Sequence, residues 1–213
     1  MKKKYSNIIF DLDGTLLNSE KRNALGLLNI LHNKSNKTEL TIDDITPKMK
    51  RSSISILQDF GVLEEEMDEY LNAWINAVYE ESQKPIELFQ GVFELLEELN
   101  KQSITCGIVS SKSRDIYNIE QEYLNIHDFF THIVLADDTP YHKPHPAPLL
   151  EYLNLSSHQN HDCIYIGDSY SDLICAKDSS INFGLAVWGS SSLFEQEENI
   201  LRFHTPQDIL DII

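Results

Sequence analysis

An α/β fold on a parallel sheet follows from the rhythm of the chain. Short apolar runs of strand length alternate with stretches of helical periodicity, the pattern of strands joined by helical crossovers. Several of these runs end abruptly in small, polar or charged residues, as in "IIFDLDGT", "GIVSS" and "YIGDS". One interval, positions 11–103, is far longer than a single crossover needs and lacks a convincing strand, so it must hold additional helical structure.

Taken in order, the first strand is predicted at 8–10, an apolar run closed by Asp11. Amphipathic segments follow at about 20–32, 42–60 and 64–83. The acidic cluster Glu64, Glu65, Glu66, Asp68 and Glu69 reads as a solvated helix start, where negative charge faces the positive end of the helix dipole. Residues 19–84 are therefore expected to form a separate helical insert, with Pro85 near the return hinge. The core would comprise 1–18 and 85–213, with 91–101 as its first crossover helix. Further strands are expected at 104–110 ("ITCGIVS"), 132–136 ("HIVLA"), 163–167 ("CIYIG") and 182–187 ("NFGLAV"). No internal repeat is visible.

Composition excludes several function classes. Hydrophobic residues make up 41% of the 213, enough for a substantial core, while the formal net charge is −17. Such a charge argues against nucleic acid or an anionic membrane as the main partner. Cys106, Cys163 and Cys175 are odd in number and widely spaced, which suggests neither a disulfide framework nor a zinc site. They read as buried residues of a reducing cytoplasm. Lys2, Lys3 and Lys4 precede an apolar run far too short for a signal peptide, and no window resembles a membrane span.

The strand ends carry the chemistry. Asp11 and Asp13 follow the first strand, Ser110 the second, Asp168 and Asp172 the fourth, and parallel sheets form their sites outside the carboxyl ends of strands. Carboxylates gathered there repel one another unless a cation intervenes. Ligands that offer only oxygen suit Mg²⁺, whose coordination is commonly completed by water and a substrate phosphate. Lys143, between Pro144 and His142 in "HKPHP", is the balancing positive charge. Each residue also has a plainer reading. Asp-x-Asp-Gly is a common turn, Ser110 could be a strand-end hydroxyl, and Asp168 and Asp172 could cap a helix. His142 and His145 have the spacing of a metal pair, but the prolines between and after them prevent the regular helix that would stack them.

Together, "DLDGTLLNSE", "GIVSSK", "HKPHPAPLLEYL" and "YIGDSYSDLICAK" resemble the four ordered motifs of the haloacid dehalogenase superfamily. The similarity is to its phosphoglycolate phosphatase and β-phosphoglucomutase branch, as is the tail "AVWGSS". The resemblance implies a Rossmann-like core with an inserted helical cap. It implies that Asp11 is a nucleophile forming an aspartyl-phosphate, and that Asp13 is general acid and then general base. Ser110 and Lys143 would hold phosphoryl oxygens. Asp11, Asp168 and the Asp13 carbonyl would bind Mg²⁺, with Asp172 binding the metal directly, reaching it through water, or orienting Lys143. Gly14, Thr15 and Ser111 would lie on the substrate side, and Lys50 and Arg51 of "PKMKRSS" could meet a second anionic group of the substrate. Ser111 departs from the usual asparagine, and Asp178, Ser179 and Ser180 depart from the usual alanine and glycine.

These features lead to an expectation of a cytoplasmic, Mg²⁺-dependent phosphatase of small phosphorylated metabolites, monomeric or homodimeric. A phosphosugar mutase and a pyrophosphatase stay open on the same residues. From another class, a phosphoaspartate receiver domain gathers similar groups, but it carries its acceptor on a middle strand and needs no insert.

Overall fold

The computed structural model describes residues 5–49, 53–81, 86–190, 194 and 200–213. Among the described residues there are six strands: β1 (Asn7–Phe10), β2 (Thr105–Val109), β3 (His132–Val134), β4 (Cys163–Gly167), β5 (Asn182–Ala186) and β6 (Leu201–Phe203). They form one sheet in the order β3-β2-β1-β4-β5-β6, and every pair is parallel. Between strands run the helices α5 (Val92–Lys101), α6 (Arg114–Leu124), α7 (Ala147–Ser156) and α8 (Tyr170–Asp178). β1 lies centrally, and all four of its residues are buried. Its register pairs Phe10 with Ile108 of β2 and with Ile166 of β4. The carboxyl ends of these three strands, each leading into a polar stretch, are therefore level with one another.

Burial explains the strand sequences. Strands covered on both faces read as continuous apolar runs, as in "IIF" of β1 and "CIYI" of β4. Asn7 is the polar exception. The Tyr152 hydroxyl of α7 donates to Asn7 Oδ1 at 2.9 Å, and Asn7 Nδ2 faces Cys163 Sγ at 3.4 Å. All three cysteines are buried and free.

Two compact units divide the chain: Met1–Asn18 with Glu87–Ile213, which holds the sheet, and Ser19–Ile86. The second unit is helical. Its α1 (Glu20–Lys34) packs against α4 (Met67–Glu81) around Leu27, Leu31, Tyr70 and Trp74, with Ile45, Ile56 and Leu57 completing the core. The Trp74 indole donates to the Asn23 carbonyl at 2.9 Å.

The structure corrects two expectations. Positions 42–60 are not one amphipathic helix: a short helix α2 (Ile42–Ile45), a 3₁₀ turn (Thr46–Lys48) and α3 (Ser53–Asp59) replace it. Pro47 lacks the N–H that would continue α2 and fits the first turn of a new element, while the Thr46 hydroxyl caps the Ile42 carbonyl at 2.9 Å. The sequence reading also missed β6, which is three residues long and contains Arg202. Pro85, the expected return hinge, lies outside the described residues.

Removing the Tyr152 hydroxyl leaves the buried Asn7 oxygen without this donor, a loss of about 1–2 kcal/mol. Tyr152→Phe is expected to lower the denaturant midpoint accordingly, whereas Tyr123→Phe, at an exposed position of α6, should leave it unchanged. Equal midpoints for both variants would show that the Tyr152 bond contributes nothing net.

Candidate active site

The loop after β1 is the frame of the site. Asp11 N–H donates to the Ile166 carbonyl at 2.9 Å, extending the β1–β4 ladder by one residue, so Asp11 is held with strand precision at 6% exposure. The chain then turns sharply: the N–H groups of Thr15, Leu16 and Leu17 all converge on the Leu12 carbonyl. Gly14 has φ +80°, and a Cβ there would lie 2.4–2.7 Å from the Asp168 carboxylate. Only glycine satisfies both that backbone conformation and that closeness. From the other end of the sheet unit, Trp188 Nε1 donates to the Thr15 carbonyl at 2.8 Å. A Cβ on Gly189 would fall 1.6 Å from the Gly14 oxygen. The turn after β5 thus presses directly on the loop.

Lys143 sits at the centre of a buried charge cluster. Its ammonium is 2.8 Å from Asp11 Oδ1, 2.6 Å from Asp172 Oδ1 and 3.0 Å from the Tyr165 hydroxyl. Tyr165, on β4, has its hydroxyl 2.8 Å from the Val109 carbonyl and 3.0 Å from Asp172 Oδ1. Asp172 is fully buried in the first turn of α8, where the N-cap Ser169 donates to its Oδ2 from backbone N–H at 3.0 Å and from hydroxyl at 2.6 Å. Both its oxygens are therefore engaged. Asp168 lies beside it and accepts from the Thr15 hydroxyl at 3.2 Å.

Burial sets the protonation of these groups. It pushes the Asp11 carboxyl up to about 6, against the pull of Lys143 and with help from Asp172. Asp168 is pushed well above the usual carboxylate range by burial, then by Asp172 and Asp11. For Asp172 burial acts upward too, but Lys143 and the Ser169 donors outweigh it and hold this carboxyl low. Lys143 is held charged, because Asp11 and Asp172 together overcome its desolvation.

Oxygens of Asp11, Asp168 and Asp172 lie within 4.8 Å of one another. One lysine cannot neutralise three carboxylates, and Asp11 Oδ1 is buried without a well-directed hydrogen bond. A hard divalent cation suits this donor set. Of the three, Asp172 is already occupied by Lys143, Tyr165 and Ser169.

Of the other expected site residues, Ser110 is buried at the end of β2, and its hydroxyl accepts the Lys112 N–H at 3.3 Å. Asp13 is partly exposed on the loop, and Ser111 is exposed. Lys50 and Arg51 lie outside the described residues. His145 stacks on Tyr141, and its Nδ1 accepts the Ala147 N–H at 3.1 Å, so it braces its loop. Sequence reasoning missed Tyr165, Trp188 and Lys112. Lys112 directly follows Ser110 and Ser111 in the motif already singled out, and its side chain meets Asp13 Oδ1 at 3.1 Å.

The raised Asp11 carboxyl predicts a pH-dependent instability. Its proton is favoured by the folded state, so its stabilising share is complete below about pH 4 and is lost as pH rises through about 6. In the presence of chelator, Asp11→Asn should match wild type in acid and become more stable by about 3 kcal/mol at neutral pH. Added Mg²⁺ should narrow that gap by stabilising wild type. Denaturant midpoints for both proteins from pH 4 to 8 test this; a gap independent of pH would overturn it.

Comparison with known proteins agrees with this architecture. The family model described as haloacid dehalogenase-like hydrolase matches residues 8–186. The pyrophosphatase PpaX of Bacillus cereus is 26% identical over 186 residues, covering 87% of this chain and 84% of that protein. A crystal structure of a candidate phosphoglycolate phosphatase from Lactobacillus plantarum has a TM-score of 0.80 and 27% identity, covering 99% of this chain and 100% of that one. A candidate phosphatase from Clostridium difficile shares the fold with a TM-score of 0.81 at 18% identity, each chain covered in full. The chain belongs to the haloacid dehalogenase-like hydrolase family.

Proposed function

We propose that this hydrolase is a Mg²⁺-dependent phosphatase of small phosphorylated metabolites, working through an aspartyl-phosphate on Asp11. The observation that carries the reading is the buried Asp11 carboxylate, 2.8 Å from Lys143, with a second carboxylate two residues further on the same rigid loop.

In this reading an Asp11 oxygen attacks phosphorus as the bond to the leaving oxygen breaks, which divides one difficult displacement into two easier ones. Asp13 gives its proton to the leaving oxygen. It then takes a proton from the water that attacks the aspartyl-phosphate, releasing inorganic phosphate and restoring Asp11. Lys143 and the Ser110 hydroxyl hold phosphoryl oxygens, so positive charge and a donor already face the group where negative charge spreads. Asp172 and Tyr165 fix the lysine. Gly14 and Thr15 shape the loop on the substrate side, with Ser111 next to Ser110.

Asp11, Asp168 and the Asp13 carbonyl would hold Mg²⁺, which would offset the crowding of carboxylates and phosphate. Asp172 supports the site through Lys143. In this reading the helical unit is the cap that the family resemblance implies. Among the described residues no helix is long and apolar enough to cross a membrane; a cytoplasmic location and a small-molecule substrate are part of the proposal itself. A pyrophosphate substrate is the second reading, supported by the similarity to the Bacillus pyrophosphatases.

Phosphate release from an aryl phosphate, phosphoglycolate, sugar phosphates and pyrophosphate, measured with Mg²⁺ and with chelator, tests these readings. Turnover is expected on at least one monoester, to depend on Mg²⁺, and to fall by at least about 10³-fold in Asp11→Asn. Turnover that survives chelation would overturn the metal assignment. Pyrophosphate hydrolysed to the exclusion of every monoester would replace the first reading by the second.

A further inference from the structure

We propose that Lys112 is a positioning residue for Asp13: its ammonium, seated on the buried Glu120, clamps Asp13 Oδ1 and leaves Oδ2 to carry the proton given to the leaving group. This inference rests on the reading of Asp13 as acid and base.

The geometry is specific. Lys112 follows the phosphate-side serines, but its side chain turns inward and is only 4% exposed. Its ammonium is ion-paired with Glu120 of α6, whose side chain is 1% exposed, and lies 3.1 Å from Asp13 Oδ1. The Asp13 side chain is 38% exposed, so of the three charges only this carboxylate is open to a reactant. The lysine backbone is fixed as well: its N–H donates to Ser110 Oγ, and its carbonyl accepts the Ala136 N–H at 3.0 Å. The start of α6 is tied to the same stretch by Arg114 N–H on Asp137 at 2.6 Å and by the Arg114–Asp138 ion pair.

A buried lysine and glutamate are an expensive way to stabilise a fold, because desolvation consumes most of the attraction between them. Their arrangement makes sense as a rigid base for a third charge. A short carboxylate at a loop surface samples several rotamers, and an acid that must meet one oxygen in one geometry loses rate for each unproductive one. With Oδ1 held by the ammonium, rotation about the Asp13 side chain is restricted. Oδ2–H then transfers its proton to the leaving oxygen as the phosphorus–oxygen bond to that group breaks and the Asp11 oxygen–phosphorus bond forms.

The test compares kcat/KM across phosphate monoesters from an aryl ester, whose leaving group needs little protonation, to an alkyl ester, whose leaving group needs it fully. Wild type, Lys112→Met, Lys112→Arg, Asp13→Asn and the double variant Lys112→Met/Glu120→Gln are assayed with Mg²⁺. The double variant removes the charge of Glu120 together with that of Lys112. Lys112→Met and the double variant should lose at least about tenfold more on the alkyl ester than on the aryl ester. The loss should fall on kcat, with KM moved less than about twofold, and Lys112→Arg should recover most of it. If Asp13→Asn shows the leaving-group dependence but the Lys112 variants lose equally on both esters, or lose nothing, the clamp is overturned and Asp13 keeps its role. If Asp13→Asn itself loses equally on both esters, there is no acid to position, and both readings fall.

Discussion

The meeting of Lys143 with Asp11 and Asp172 is the interaction on which the site depends. Three charged groups buried together would be unfavourable in any pairwise arrangement, and here the numbers do not balance, since Asp168 adds a further carboxylate. Burial first, and that imbalance second, drives two carboxyls upward, while Lys143 and Ser169 hold Asp172 low. Asp172 is the one that holds the lysine most tightly and takes two further donors from Ser169. The cluster is thus a group of carboxylates short of positive charge, which a bound cation would relieve.

Sheet polarity explains how the cluster is assembled. Because β1, β2 and β4 are parallel and in register, their carboxyl ends bring Asp11, Ser110 and Asp168 to one edge from positions far apart in the chain. Tyr165 reaches across β1 from β4 to the Val109 carbonyl of β2, tying the three strands behind the lysine. The loop that bears Asp13 then needs two close approaches: the Asp168 carboxylate against Gly14, and the turn at Gly189 against the Gly14 oxygen. A side chain at either glycine would displace the loop from its place beside the Asp168 carboxylate.

The expected family resemblance and the parallel α/β architecture both hold, and the reasons are local. Runs such as "CIYIG", short, apolar and closed by a glycine, suit doubly covered strands, and "DLDGT" joins such a strand end to a glycine turn. The errors are local as well. Apolar periodicity carried the expected helix at 42–60 across Pro47, whose missing N–H ends α2. β6 escaped because three residues with an arginine in the middle show too little pattern, and its strand character comes from pairing with β5.

Reading residues one after another was enough to find the groups whose identity alone is unusual: Asp11 and Asp13 beside a strand, Ser110, Lys143 among prolines, Asp168 and Asp172 after a glycine. Chemistry of that kind is written in residue type and spacing. Which charge faces which was decided only by the tertiary structure. Lys112 and Lys143 are both lysines following a strand or turn, yet one is seated on Glu120 and touches Asp13 while the other bridges Asp11 and Asp172. Tyr165 looks like any core tyrosine until the strand order sets its hydroxyl beside that lysine. The physical reason is that an ion pair or hydrogen bond is made at about 3 Å, a distance fixed by the order and register of strands that lie far apart in the chain.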